Sequence, residues 1–295
     1  MSVPVFDGQF VYVPLYQDYA ARVGDEMPDR PWTDPVGWST ALRQTADLVG
    51  PDVAAVSGVD ALAADLETAD GADLASVRFD EALGPGVEGF AETIGIVADV
   101  RSEPVGAVLP SPATVCVDQL GADWLDAVAA DEFAALDALH EAGQAVTDVI
   151  RSLEGTVDVL LLDERGLETA RDRGLSLDDA LLEAGAVFNT ADHHGLRVVG
   201  RFPSTLRGDA AALLDEYDVV AFEALPPEAA ESLADVSGRT GGSLPAAVWS
   251  AEPATFESRV ESFQNALPEG FVWLVPVPAT AAPERVQRFR ELLGR

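Results

Sequence analysis

Three charged residues follow a strongly apolar segment near the middle of the chain. In VDVLLLDERG (157–166), Asp163, Glu164 and Arg165 come directly after a segment with five aliphatic residues. A charge buried at such a point is unfavourable unless it is paired or functional. Asp163 is therefore the first candidate for a catalytic residue. The alternative is that Asp163 caps the following helix and pairs with Arg165.

Similar polar residues follow three other apolar segments of the sequence. They are Arg78 and Asp80 in SVRFDE, Arg201 and Ser204 in VVGRFPS, and Glu223 in VVAFEA. If these segments are parallel strands of one barrel, their carboxyl ends lie at the same face, where barrel active sites are built. The sequence therefore predicts a cluster of charged side chains at that face, together with Asp163 and Arg165.

Two interpretations of this charged cluster are open. Its three arginines could form a clamp for a carboxylated or phosphorylated ligand, because a guanidinium binds such groups in a bidentate geometry. Alternatively, the arginines form a ring of ion pairs with the acidic members of the cluster, Asp80, Asp163 and Glu223. The residue types alone do not decide between the two.

The elements that must position these residues follow a regular alternation. Short β-branched segments alternate with longer segments of helical period, which is typical of βα units and parallel strands. The strand candidates are residues 10–15, 52–57, 76–79, 105–110, 157–163, 196–202, 218–222, 246–250 and 271–277. No glycine-rich turn follows the first candidate, as a doubly wound dinucleotide-binding sheet requires. The pattern predicts a single α/β domain over 1–295, a (β/α)₈ TIM-type barrel.

Loops and helices complete this prediction. Residues 1–35 are expected to form an N-terminal extension with the first strand and a loop, 24–35, that covers the barrel mouth. The polar segment 237–245 is expected to be a surface loop. The clearest helix is predicted at 131–154, where apolar residues from Phe133 onward form a stripe. A second helix is predicted at 178–192, after the potential cap Ser176.

The charge balance restricts the partners of the protein. The chain has 51 acidic residues and 18 basic residues, every basic residue is Arg, and the net charge is -33. Concentrated salt screens such a charge, since the Debye length falls to about 3 Å near 1 M, so we expect a protein from a salt-accumulating halophile. Nucleic acid and membrane partners are not expected. The start MSVPVFDGQF lacks the regions of a signal peptide, so a cytoplasmic location is expected.

Few residues could hold a metal or act as a nucleophile. Cys116 is the only cysteine, which excludes sites built from several thiolates. The adjacent His193 and His194 precede a predicted strand, which places them at the end of the barrel that does not carry the active site. This position favours a role at a helix terminus. No Walker loop, GxSxG or HExxH motif is present. We therefore expect no metal and no cofactor.

Three segments occur in a characteristic order along the chain. VGAVLPSPATVCVDQLG (105–121) has a strand that enters a Pro-Thr turn, VDVLLLDERG ends in an Asp, and GFVWLVPVPATAAPERVQRFREL (270–292) has a Gly-aromatic strand before the last helix. In this order the chain resembles the uroporphyrinogen decarboxylase family and its barrel relatives, the corrinoid and cobalamin-independent methyltransferases. It departs from that family by lacking an Arg-bearing loop after the first strand and a His-Gly pair after the last.

The resemblance implies a decarboxylase or a methyltransferase that acts on a tetrapyrrole, a corrinoid or a small anionic substrate. It also implies that Asp163 stabilises positive charge near the reacting centre and that Arg165 and Arg201 orient carboxylates. In the same interpretation, Tyr12 or Tyr16 donates hydrogen bonds to the ligand. The partner is thus a small molecule, and a homodimer is an open alternative.

The missing motifs leave two other functions open. The chain could be a non-catalytic descendant that keeps the barrel as a scaffold for a ligand or a partner. It could also be a divalent-metal lyase or isomerase that uses oxygen ligands, for which the candidates are Asp163, Glu164 and Glu223.

Overall fold

The structure, a computed structural model, describes residues 11–23, 28–66, 74, 79, 83–233, 236, 239–268 and 270–294. The strands are β1 (Val11–Leu15), β2 (Ala54–Ser57), β3 (Val105–Pro110), β4 (Val159–Asp163), β5 (Arg197–Phe202), β6 (Val219–Phe222), β7 (Arg239–Gly242) and β8 (Val272–Pro276). The helices are α1 (Gln17–Val23), α2 (Pro35–Val49), α3 (Val59–Asp65), α4 (Pro85–Val100), α5 (Pro112–Ala129), α6 (Phe133–Ser152), α7 (Arg165–Asp172), α8 (Leu177–Glu183), α9 (Gly185–His193), α10 (Ala210–Leu213), α11 (Pro227–Glu231), α12 (Pro253–Ala266) and α13 (Pro283–Leu292).

The eight strands of the described chain form a single parallel sheet that is nearly closed. Their order is β1-β8-β7-β6-β5-β4-β3-β2. The first and last strands of this order, β1 and β2, approach each other where the backbone amide of Asp52 donates to the carbonyl of Tyr12 over 2.9 Å. In return, the carboxylate of Asp52 accepts a hydrogen bond of 2.8 Å from the amide of Tyr12. The predicted (β/α)₈ TIM-type barrel is confirmed.

The seventh strand differs from the prediction. The segment 246–250 was a strand candidate, but it forms a short 3₁₀ helix at Ala246–Val248. The strand is instead β7, which lies in the segment 237–245 that its composition marks as a surface loop. Glycine serves a packing purpose here, because a Cβ at Gly241 would lie 2.6 Å from the carbonyl oxygen of Val272 in β8. The candidate at 76–79 lies outside the described residues except for Phe79.

Side chains alternate between the two faces of each strand and form two layers of core. The interior of the barrel is filled by Val11, Val13, Val53, Ala55, Val108, Val159, Leu161, Val199, Val219, Ala221, Val272 and Leu274. The intervening side chains, such as Leu160 and Trp273, pack between the sheet and the helices. Because apolar side chains fill the barrel, polar chemistry is confined to the ends of the strands.

Aspartates placed just before three strands tie the amino end of the barrel together. Asp158 accepts a hydrogen bond of 3.0 Å from the first backbone amide of β3. Asp218 accepts one of 2.8 Å from the second backbone amide of β5, as Asp52 does from β1. Asp218 also pairs with Arg197 at 2.8 Å. These three aspartates therefore have structural roles at the amino end, and active sites of such barrels lie at the carboxyl end.

The two predicted helices are present with one difference each. The helix predicted at 131–154 is α6, whose buried face confirms the apolar stripe, but Phe133 at its start is 85% exposed. The helix predicted at 178–192 is divided into α8 and α9. The hydroxyl of Ser176 caps α8 as expected, because it accepts a hydrogen bond of 3.0 Å from the amide of Asp179.

None of the described helices combines the length and the apolar composition that a bilayer crossing requires.

Candidate functional site

A cavity of about 490 Å³ opens at the carboxyl ends of the strands. Its walls come from the ends of β1, β2, β4, β5 and β8, from the start of α1, and from the segment between α1 and α2. The charged side chains that line it are Asp18, Asp29, Asp60, Asp163, Arg165 and Arg201. The strand-end candidates Asp163, Arg165 and Arg201 are thus brought together in one cavity.

Asp163 is held by two arginines on neighbouring elements. It is the last residue of β4, and the parallel register places it beside Arg201 of β5. Its carboxylate lies 3.3 Å from the guanidinium of Arg165 and 3.8 Å from that of Arg201, and only 3% of its side chain is exposed. The backbone amide of Arg165 also donates to this carboxylate over 3.3 Å. The negative charge of this buried carboxylate is thus paired with two guanidinium groups.

Two further carboxylates extend the ion-pair chain. Asp118 of α5 lies 2.6 Å from the guanidinium of Arg165, and Glu223, directly after β6, lies 2.6 Å from that of Arg201. Burial raises the pKa of Glu223, while the charge of Arg201 opposes this increase. Three carboxylates therefore share two guanidinium groups.

This chain of ion pairs contains the contacts that the ring interpretation predicts for Asp163 and Glu223. The clamp interpretation still has a geometric basis, because both arginines of the chain line the cavity and Arg165 is half exposed. The remaining members of the predicted cluster, Arg78 and Asp80, lie outside the described residues.

Glu164 follows Asp163 but faces the opposite side of the barrel wall. Its buried carboxylate accepts a hydrogen bond from the hydroxyl of Tyr217, and it does not line the cavity. Burial raises the pKa of Glu164 to about 7, against hydrogen bonds from Tyr217 and Ser111 that lower it, and the charge of Asp163 adds to the increase. The ring of Tyr217 has room there because the neighbouring strand residue is Gly200, where a Cβ would lie 2.7 Å from that ring.

The two tyrosines proposed as ligand donors lie in the hydrophobic core. Tyr12 and Tyr16 are each 1% exposed, and neither lines the cavity. The ring of Tyr12 packs in the helix layer, with its centroid 5.8 Å from that of Phe289. Burial raises the pKa of Tyr16. The next two residues, Gln17 and Asp18, reach the cavity instead.

Ser204 also lies away from this cavity. It begins the short 3₁₀ helix Ser204–Asp209 after β5, and it is not among the residues that line the cavity.

The described residues do not offer a fit for zinc or another bound metal. They contain no group of three or more His, Cys, Asp and Glu side chains arranged to hold an ion. Cys116 is fully buried in α5, and burial raises the pKa of its thiol. His194 lies at the amino end of β5, 3.5 Å from Glu154. The metal interpretation also required Glu164 in the same cluster as Asp163, and its carboxylate faces Tyr217 instead.

Several polar and aromatic residues of the cavity were not among the sequence candidates. Besides Gln17 and Asp18, they include Trp32, Trp38, Asp29 and Asp60. Asp60 lies three residues after the apolar segment DVAAVS, so the strand-end rule that identified Asp163 could have found it. Trp32 and Asp29 belong to the segment 24–35 that was expected at the mouth. The placement of Trp38 depends on how α2 packs, and no local pattern reveals it.

Comparisons with known proteins address the fold. No protein-family model and no curated protein matches the sequence. Among solved structures, a methyltransferase from Methanosarcina mazei has a TM-score of 0.74 at 12% identity, covering 98% of this chain and 95% of that one. A B12-independent methionine synthase from a Shewanella species, in complex with selenomethionine, has a TM-score of 0.55 at 13% identity, covering 97% and 94%. The chain therefore shares the barrel fold of these two proteins, as the order of three segments in its sequence indicated.

Proposed function

We propose that this chain is a methyltransferase-type enzyme that acts on a small carboxylate-bearing ligand at the carboxyl end of the barrel. The observation that carries the proposal is the buried Asp163, held between Arg165 and Arg201 in the wall of a cavity. The named activities of the two similar structures supply the reaction class. The residues and their roles come from the geometry of this site.

The two arginines provide the site for the carboxylate of the ligand. Each guanidinium carries five N–H donors, so the pairs with Asp163, Asp118 and Glu223 leave donors for a further carboxylate. Arg165 and Arg201 both present part of their side chains to the cavity. Asp163 lies between them and holds both guanidinium groups in position for the carboxylate of the ligand.

A ligand with many carboxylates, such as a tetrapyrrole substrate, suits this cavity poorly. The two guanidinium groups are already shared by three protein carboxylates. Further negative charge lines the cavity at Asp18, Asp29 and Asp60. Each additional carboxylate on the ligand would face this field without a second pair of cations, so a small ligand with one carboxylate is favoured.

Methyl transfer is tested directly with labelled donors. The protein is incubated in about 2 M KCl with ¹³C-methyl-labelled N- and S-methylated amino acids and a thiol acceptor, and the methyl carbon is followed by NMR. The methyl–onium bond breaks, its electron pair stays on the nitrogen or sulfur, and the thiolate gains the methyl group. Asp163→Asn should abolish turnover with little change in melting temperature. Asp148→Asn, at an exposed carboxylate paired with Arg151 on α6, is the matched control and should keep full turnover.

Unchanged turnover in Asp163→Asn would remove Asp163 from the proposed mechanism. If the parent protein binds the ligand but shows no turnover, the second candidate function, a non-catalytic ligand-binding barrel, would be favoured. One specific observation supports that candidate: each arginine of the cavity is paired with two carboxylates, as expected for a closed structural network. Calorimetric binding without methyl transfer is its expected signature.

A further inference from the structure

The wall of the cavity that faces Arg165 and Arg201 has a different chemistry. In an eight-stranded barrel β1 lies across from β5, and the loops after β1 and β2 therefore face those after β4 and β5. The first pair of loops contributes Asp18, Asp29 and Asp60 to the cavity. One side of the cavity thus carries two arginines that are paired with carboxylates, and the charged residues of the other side are all aspartates.

The anionic side has the stronger unbalanced charge. Within the described part of the chain, no ion pair joins Asp18, Asp29 or Asp60 to an arginine, although the charge of Asp60 acts on Arg165 from a distance, whereas Arg165 and Arg201 each pair with two carboxylates. The cavity lining as a whole has four aspartates and two arginines. A ligand that is only anionic would be repelled by this wall, and a ligand with both a carboxylate and a cation would match both sides.

Two tryptophans complete the anionic side. Trp32, which is partly exposed, and Trp38, which is 5% exposed, both line the cavity and lie on the segment that connects β1 to β2. Trp32 is fixed by close packing on α4, since a Cβ at Gly89 would lie 2.1 Å from the Trp32 carbonyl oxygen. Tryptophan is the best aromatic partner for a cation, and quaternary ammonium groups are bound in proteins by aromatic rings of this kind.

We infer that the cavity binds a small zwitterion with a quaternary ammonium group at one end and a carboxylate at the other. The methylated nitrogen lies against Trp32 and Trp38, within the field of the three aspartates, and the carboxylate lies on Arg165 and Arg201. A volume of about 490 Å³ is in the usual range of small-molecule sites. This inference rests on the carboxylate site of the proposed function and adds the group that occupies its other side.

Two ligands of the same shape distinguish binding of the cation from binding of the carboxylate. Glycine betaine carries the quaternary nitrogen, and 3,3-dimethylbutanoate replaces that nitrogen by carbon and keeps the carboxylate. In calorimetric titrations at about 2 M KCl, glycine betaine should bind at least about tenfold more tightly, as expected for a desolvated cation on an indole ring. Equal affinities would overturn the zwitterion inference and leave the proposed carboxylate site in place. Binding of neither ligand would overturn both.

Variants assign each end of the ligand to its wall. Trp32→Leu should weaken glycine betaine at least about tenfold and leave 3,3-dimethylbutanoate unchanged, whereas Arg201→Gln should weaken both ligands. Asp60→Asn, at an exposed position of α3, provides a second test if Trp32→Leu does not fold. It should weaken glycine betaine alone. Equal losses for both ligands in Asp60→Asn would contradict the assignment of the cation to this wall.

Discussion

Replacing Glu164 by Gln should remove a large pH-dependent penalty on stability. The carboxyl of Glu164 has a pKa of about 7 in the folded protein because it is buried, against an ordinary value of 4.5. The folded state therefore holds the proton more tightly than the unfolded state. The stability gained from this proton is fully present below pH 4.5 and is lost as the pH rises through 7.

The magnitude follows from the two pKa values. One pKa unit corresponds to about 1.4 kcal/mol, so the full difference is about 3 kcal/mol, and about 2 to 3 kcal/mol of it falls between pH 5 and pH 8. Gln has nearly the same shape, can accept the hydrogen bond from Tyr217 and does not ionise. Relative to the parent, Glu164→Gln should thus become more stable by about 2 to 3 kcal/mol as the pH is raised over this range.

Urea unfolding in about 2 M KCl, followed by tryptophan fluorescence at pH 5, 6, 7 and 8, measures this difference. The other carboxylates contribute equally to the pH dependence of the unfolding free energy in both proteins, so their contributions cancel in the difference. Glu261→Gln, at an exposed position of α12, is the matched control and should remain parallel to the parent. A free-energy difference between Glu164→Gln and the parent that stays constant from pH 5 to pH 8 would refute the reasoning.

Three other predictions concern the same wall and the charge of the chain. Tyr217→Phe removes the donor to the Glu164 carboxylate and should lower stability by about 1 to 3 kcal/mol at pH 8 and less at pH 5; urea titrations check both. Gly200→Ala places a methyl group 2.3 Å from the ring of Phe202 and should destabilise the barrel by about 1 to 3 kcal/mol, whereas Gly208→Ala, which meets open space, should not. Lowering KCl from about 2 M to about 0.1 M should lower the melting temperature, because the net charge of -33 is then less screened; an unchanged value in calorimetry would contradict this.

The sequence predicted the parts of the barrel that a local pattern determines. Strand β4 is an uninterrupted aliphatic run that ends in a charge, and this pattern identified both the strand and Asp163. Strand β7 was missed because its four residues, RTGG, contain a single β-branched side chain, Thr240, and end in two glycines, which are rare in strands. Gly241 is needed because the backbone of β8 packs closely against it, and the local sequence does not reveal such a contact.

The site was predictable to a similar degree. The strand-end rule brought Asp163, Arg165 and Arg201 together, since parallel strands align their carboxyl ends. It could not show that Tyr16 turns into the core while Gln17 and Asp18 reach the cavity, because one residue of register decides this. Trp32 and Trp38 come from a short 3₁₀ helix and from α2, whose positions depend on packing against α4 and α1, which no short segment encodes.

Ligand-dependent thermal unfolding of the parent and Arg201→Gln in about 2 M KCl tests the central claim most directly. The titrated ligands are small monocarboxylates, with and without a quaternary ammonium group. A ligand at 100 times its Kd adds about 2.7 kcal/mol to stability. The account predicts a higher melting temperature of the parent with these ligands and little change in Arg201→Gln. No increase with any of them, or an equal increase in both proteins, would contradict a carboxylate site at the carboxyl end of the barrel.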